Sequence, residues 1–300
     1  MRTKQFKNLS MILIAMLLCS SVAAQKGEPA LLHVVYQFTH IDDLNDPDNP
    51  IKEEMELTLG ETESRYMKHT KKNPALSQGG AAGAVSGARR TAVGVPIAVV
   101  NSRGRVSNSA LYQHYNTGKF AVIETLGLHH YLIEENLPKI KWEIKEEKRE
   151  IGGYTCQKAV GEYAGRRYTA WFAAELPWRN GPWKLSGLPG LILEAEDERQ
   201  EVRFIFKELY SGDGSESTAS ARSRLVKTSS KAFERLEASY NQDPASFFQA
   251  QLPSDGPTVR TVFVEKDGKT ADDATSKELL KKSQEQSKSK KLNPLELKKN

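Results

Sequence analysis

Cys156 is the residue best suited by type to nucleophilic chemistry, because a thiolate attacks carbonyl or disulfide centres without further activation. It needs a base or a cation to lower its pKa, and no histidine stands at a spacing that supplies one. The histidines are His33, His40, His69, His114, His129 and His130, with no pair at the four-residue spacing of a helical metal site. His129 and His130 are adjacent, but neighbours on a strand point to opposite faces, so only a turn would bring both to one ion. Glu175, Glu194 and Glu196 have the type for acid–base work, yet charged residues on the wet faces of strands explain them equally well. No nucleophile elbow, phosphate loop or His-Glu-x-x-His segment occurs. The expectation is a protein that is not an enzyme, with no catalytic residue, metal or cofactor. A Cys156 enzyme is the alternative.

The chain offers instead a stiff apolar corner. Residues 176–193, Leu-Pro-Trp-Arg-Asn-Gly-Pro-Trp-Lys-Leu-Ser-Gly-Leu-Pro-Gly-Leu-Ile-Leu, combine backbone-fixing residues with large side chains. Leu188-Pro189-Gly190-Leu191 reads as a type II turn in which Pro189 pre-sets φ and Gly190 takes a positive φ. Gly181-Pro182 forces a second change of direction. Trp171, Trp183, Gly187, Leu188, Pro189 and Gly190 are the candidate binding residues. Three readings stand for the aromatic set: a core with bonded indoles, a groove for an apolar ligand, and a rigid knob presenting Trp183 and Leu188 to a partner protein.

The elements that must position this corner read as strands. Residues 31–39, 54–59, 64–68, 95–100, 106–115, 119–126, 130–134, 141–150, 154–160, 167–176, 191–196, 201–210 and 258–265 are rich in β-branched, aromatic or alternating residues and are separated by turn signals. Helical spacing enters late, with Phe233, Leu236 and Tyr240 after a Ser229 or Ser230 cap, and a second short helix from Asp243-Pro244. Serine-rich residues 211–224 read as a loop. A twisted antiparallel sheet of this size curls, and the late helices are the natural plug for its concave face. The fold class expected is mainly β (α+β): a curved antiparallel sheet, half-barrel-like, with one or two short helices packed late in the chain.

Composition bounds the setting. Arg2, Lys4 and Lys7, an apolar run at 9–18 and Val22-Ala23-Ala24 make a secretory signal at residues 1–24, cleaved after Ala24. Leu18 is too bulky before Cys19 for a lipid anchor. The formal net charge of +5 falls to about +2 on cleavage, which argues against nucleic acid as a partner. With one cysteine left, the exported chain must build a core without a disulfide framework. Residues 25–268 form one β-rich domain with a glycine-rich flexible insertion at about 71–94, and residues 269–300 a Lys-rich, largely disordered tail.

Gly187-Leu-Pro-Gly-Leu-Ile192, with Tyr36 to Thr39, Met55-Glu-Leu-Thr-Leu59, Ser64-Arg-Tyr66, Gly153-Tyr-Thr-Cys156, Ala170-Trp171-Phe172 and Asn293-Pro-Leu-Glu-Leu297, resembles the GLPGLI family of secreted Bacteroidetes proteins. The resemblance implies a periplasmic protein without an established molecular role, and an outer-membrane TonB-dependent receptor as a partner class. The expected function is a non-enzymatic binding or accessory module working with such transport. The alternative is a carrier holding a lipid or other apolar small molecule in the half-barrel.

Overall fold

The computed structural model describes residues 28–70, 88–90, 96–99, 109–214, 218, 225–254, 260–262, 278, 281, 285, 291 and 293–297. The expected signal peptide lies outside them. Among the described residues no helix is long and apolar enough to cross a membrane.

Alternation of apolar and polar residues puts one face of the central strands into a shared core, and twelve strands join in one open sheet. In chain order they are β1 (Leu32–His40), β2 (Ile51–Leu59), β3 (Glu63–Lys68), β6 (Ala110–His114), β7 (Lys119–Leu126), β8 (His129–Asn136), β9 (Trp142–Ile151), β10 (Tyr154–Tyr163), β11 (Arg166–Ala173), β12 (Leu191–Asp197), β13 (Val202–Ser211) and β14 (Leu225–Thr228). Their spatial order is β14-β8-β7-β6-β3-β2-β1-β13-β12-β11-β10-β9. Neighbours pair antiparallel except β14, which runs parallel to β8. A separate small sheet joins β4 (Ala88–Arg90), β5 (Pro96–Val99) and β15 (Arg260–Val262). The fold is thus mainly β, as the strand pattern predicts.

Two differences are local. Ala88–Arg90 pairs with Pro96–Val99, so the segment expected to be a flexible insertion contains a strand. β14 follows the polar stretch and contains only Leu225, Val226, Lys227 and Thr228; it owes its extended form to pairing with β8, a neighbour invisible to local pattern.

The sheet is bent by bulges where β1 meets β13, β9 meets β10, and β11 meets β12. The bend is visible in what the connection between β11 and β12 touches. Trp142 on β9, at one edge of the sheet, donates from its indole to the Ser186 carbonyl at 2.8 Å. Asn180 donates to Gln113 on β6 at 2.9 Å, and the Lys184 ammonium lies 4.7 Å from the ring of Phe120 on β7. One short loop therefore reaches strands near both ends of a twelve-strand order, which requires the sheet to curl around it.

That loop fills the concave face. Its Leu185 and Leu188, with Leu191 and Ile192 at the start of β12, are fully buried against Tyr36, Phe38, Leu57, Tyr168, Phe172 and Phe204. Burial of each such side chain contributes about 1.5–3 kcal/mol. The helices expected as the plug do otherwise. α1 (Ser230–Gln242), capped by Ser229, has no buried residue. α2 (Pro244–Gln249), capped by Asp243, buries Phe248 against Tyr240, Ala245 and Leu252 in a cluster of its own. A helix satisfies its backbone wherever it lies, so nothing drives it into a space the loop already occupies.

Candidate functional site

Beyond the loop, toward β6, β7 and β8, the concave face is hollow. A cavity of about 460 Å³ lies there, of the size that small-molecule sites occupy. Its floor is Phe38, Met55, Tyr66 and Phe204 from the central strands. Leu111, Val122 and Ile133 form the far wall because they alternate onto the concave face of β6, β7 and β8. Trp183 closes the loop side, and Phe233 of α1 and Leu295 lie over the mouth. Phe233 is held by an edge contact to Tyr131 of β8, ring centroids 5.5 Å apart. Gln251, just after α2, accepts from the backbone N–H of Leu128 at 2.6 Å and ties the helical pair to the β7–β8 turn.

Trp183 is the strained residue of the wall. Its φ is +55°, a left-handed value that costs a bulky side chain about 1–2 kcal/mol. Packing enforces it, since the indole lies 5.4 Å from Tyr163 and 6.4 Å from Phe204, nearly parallel to the latter. Strain of this kind collects at binding sites, where surrounding contacts over-determine the backbone.

The rim is polar. Glu124 accepts from the Ser109 hydroxyl at 2.5 Å, and Glu135 accepts from Ser230 at the start of α1. Lys184 pairs with Glu135 at 3.5 Å and with Glu296. On the floor, burial holds the His40 imidazole below its ordinary range, so it is neutral at physiological pH. Its Nε2–H donates to the Asn293 carbonyl at 2.7 Å, which leaves Nδ1 as a lone-pair acceptor with no partner among the described residues. The Tyr66 hydroxyl, also buried, stays protonated because burial pushes its pKa well up; it too lacks a partner there.

One wall comes from the far end of the chain. Arg166 spends all five of its N–H donors on a buried network: Asp197 at 2.7 Å, Glu201 at 2.8 Å, the Asn293 side chain, the Pro294 carbonyl at 2.9 Å and the Leu295 carbonyl at 3.2 Å. Asn293 in turn donates to the Ile41 carbonyl and to Glu201. The Leu297 N–H reaches the Ala164 carbonyl at 2.9 Å. Residues 293–297 are therefore docked. Most of the tail expected to be disordered lies outside the described residues, but this piece is fixed by a guanidinium.

The binding residues expected from sequence separate into different roles. Trp183 lines the cavity. Leu188 is 1 % exposed and belongs to the core, so it presents nothing to a partner. Pro189 and Gly187 are exposed, beside buried Leu188 and Gly190. The turn itself differs from expectation: the positive φ, +100°, belongs to Gly187 and not to Gly190. Gly190 is required for space, since a Cβ there would lie 2.3 Å from the Ala173 carbonyl oxygen. Trp171 is half-buried away from the cavity, under the Arg149 guanidinium 4.1 Å from its ring. Cys156 is fully buried, and burial pushes its thiol up to about 11, which disfavours a thiolate. His130 is bonded to Thr125 and His129 packs on Tyr131, so the two rings serve separate neighbours.

Tyr66, His40, Lys184, Glu135, Phe233 and Glu296 were not singled out as site residues from the sequence. Phe233 had a signal in its helical spacing, and Tyr66 and residues 293–297 in the segments that carry the family resemblance. The others come together only through the curl of the sheet.

Residues 164–194 match a family described as "Protein of unknown function (Porph_ging)". No curated protein matches the chain. Two crystal forms of PNGF-II are similar to it: the P21 form at TM-score 0.48 and 11% identity, and the C2 form at TM-score 0.47 and 10% identity. Each comparison covers 69% of this chain and 32% of the other, so the chain spans about a third of the length of those proteins. The stretch matched by the family of unknown function is the strand–loop–strand unit that fills the concave face.

Proposed function

We propose that this chain is a non-enzymatic binding module that holds an apolar ligand in the cavity of its curved sheet. The observation that carries the reading is the cavity itself: about 460 Å³, walled by apolar side chains of the central strands and β6, β7 and β8, beneath a helix without a buried residue. Such a roof moves at little cost, because few contacts hold it. The GLPGLI resemblance supplies the setting, an exported protein acting beside outer-membrane TonB-dependent receptors, and a carrier or accessory role there is part of the proposal. The rival docking reading loses support with Leu188 in the core, and a Cys156 enzyme loses it with a buried thiol.

Native mass spectrometry of the mature protein purified from its own periplasm tests this. The expected result is a bound small mass, removed by organic extraction and restored by adding the extract. A bare chain that also refuses the neutral dye N-phenyl-1-naphthylamine would overturn the reading. A receptor fragment in place of a small mass would favour docking.

A further inference from the structure

Buried polar groups are ordinarily paired, and the floor of the cavity breaks that rule twice. His40 at the end of β1 and Tyr66 on β3 both line it, 3 % and 4 % exposed. Each carries a buried atom with no partner among the described residues, Nδ1 of the imidazole and the phenol oxygen. A polar group left in this state destabilises the fold until something bonds to it. Two of them beside one hollow therefore call for a guest that supplies the missing bonds.

The two atoms ask for complementary chemistry. A carbonyl only accepts, so the bond from His40 to the Asn293 carbonyl puts the imidazole proton on Nε2 and leaves Nδ1 as an acceptor. Tyr66 keeps its proton, because burial raises its pKa, and can donate. Neither group is charged. Lys184, the one ammonium among the described lining residues, is paired with Glu135 and Glu296. Around the two atoms the floor is apolar: the Phe38 ring lies 6.1 Å from the His40 imidazole and 5.1 Å from Phe204, with Met55 beside them. A full charge brought down to this floor would be buried against neutral groups, which costs far more than burying a hydroxyl or an amide that these atoms can bond.

Resting on the ligand reading above and deepening it, we infer that the cavity takes an uncharged apolar molecule bearing a hydroxyl or amide group, with that group innermost at His40 Nδ1 or the Tyr66 hydroxyl. A hydroxyl serves at either atom, donating to His40 or accepting from Tyr66; an amide does the same through its N–H and its carbonyl. The hydrocarbon body then lies against Leu111, Val122 and Ile133, under Phe233.

Equilibrium dialysis of the mature protein against naphthalene, naphthol and naphthoate tests this, the last two substituted at the same carbon. Naphthol is expected to bind about fivefold tighter than naphthalene, the ratio one added hydrogen bond gives, and naphthoate, ionised at neutral pH, the weakest. The preference for naphthol disappears in the His40→Leu/Tyr66→Phe double variant, whose unchanged affinity for naphthalene reports an intact cavity. The single variants, read the same way, tell which atom holds the hydroxyl. Naphthol binding no tighter than naphthalene, as ordered water at both atoms would give, overturns the inference while the ligand reading stands. A preference that the double variant keeps, or naphthoate binding tighter than naphthol, does the same. Failure of all three probes removes both.

Discussion

Two segments lie on the concave face, and the fold treats them oppositely. The loop between β11 and β12 has almost no regular structure, yet Leu185 and Leu188 are as buried as any strand residue. α1 is a regular, capped helix and buries nothing. A loop normally stays at the surface because its backbone polar groups need water. This one satisfies them internally: Gly187 N–H to Arg179 at 2.9 Å, Leu185 N–H to Pro182 at 3.1 Å and Ile192 N–H to Asn180 at 2.9 Å. The side-chain amide of Asn180 and the indole of Trp178 then bond outward to Ser64 and Gly60. Order in the backbone is therefore no guide to which segment is core. The loop is the structural element, and the helix is the cover of a space left empty.

The largest effect should come from the network that docks the wall of the cavity. Arg166→Met leaves Asp197 and Glu201 without their guanidinium, which costs about 3–5 kcal/mol in urea unfolding and exposes residues 293–297 to proteolysis. A loss under about 1 kcal/mol would mean that this segment is not part of the folded unit. Leu188→Ala should cost about 2–5 kcal/mol, as for a core leucine anywhere. A value near zero would return Leu188 to the surface and revive the docking knob.

The two glycines of the loop sharpen the comparison, because they are needed for different reasons. Gly190→Ala drives a methyl into the Ala173 carbonyl and should cost about 1–3 kcal/mol. Gly187→Ala meets nothing closer than 4.0 Å and pays only for its φ of +100°, about 1 kcal/mol. Equal losses at both positions would count against this division.

On the opposite face of the sheet, Glu56 accepts from His33 at 2.6 Å and His69 at 2.9 Å. Burial pushes its carboxyl up, but these bonds and that from Tyr210 outweigh it and hold the pKa at about 2, against an ordinary 4.5. A pKa depressed in the folded state gives stability that is complete above pH 4.5 and is lost as pH falls from there through about 2. Glu56→Gln should flatten the acid limb of the melting temperature across that window; an unchanged limb would contradict the assignment. The smallest effect on stability belongs to Phe233→Ala, under about 1 kcal/mol for a half-buried cover residue, with faster ligand release as its main consequence. A large loss there would make α1 core after all.

Much of this fold can be read along the chain, because strands and caps are local in cause. The run from Val202 to Phe206 alternates, Ser229 caps α1 and Asp243 with Pro244 opens α2, and all stand where period and capping chemistry put them. The cavity was less legible. Of the residues weighed for binding, Trp183 alone is among the described lining residues, while Leu188, which only one of the three readings placed at the surface, lies in the core. β14 carried no signal, since its extended form is imposed by a parallel neighbour.

By itself, the sequence determined most of the elements, the mainly β class and the stiffness of the stretch around Pro189, since backbone preference and side-chain period act over a few residues. Tertiary structure alone decided that this stiff stretch turns inward, that Arg166 claims Asn293 from 127 positions away, and that a hollow remains beside them. Those outcomes depend on how far a bulged, twisted sheet curls before its concave face is filled, a property of all twelve strands together and of none in particular.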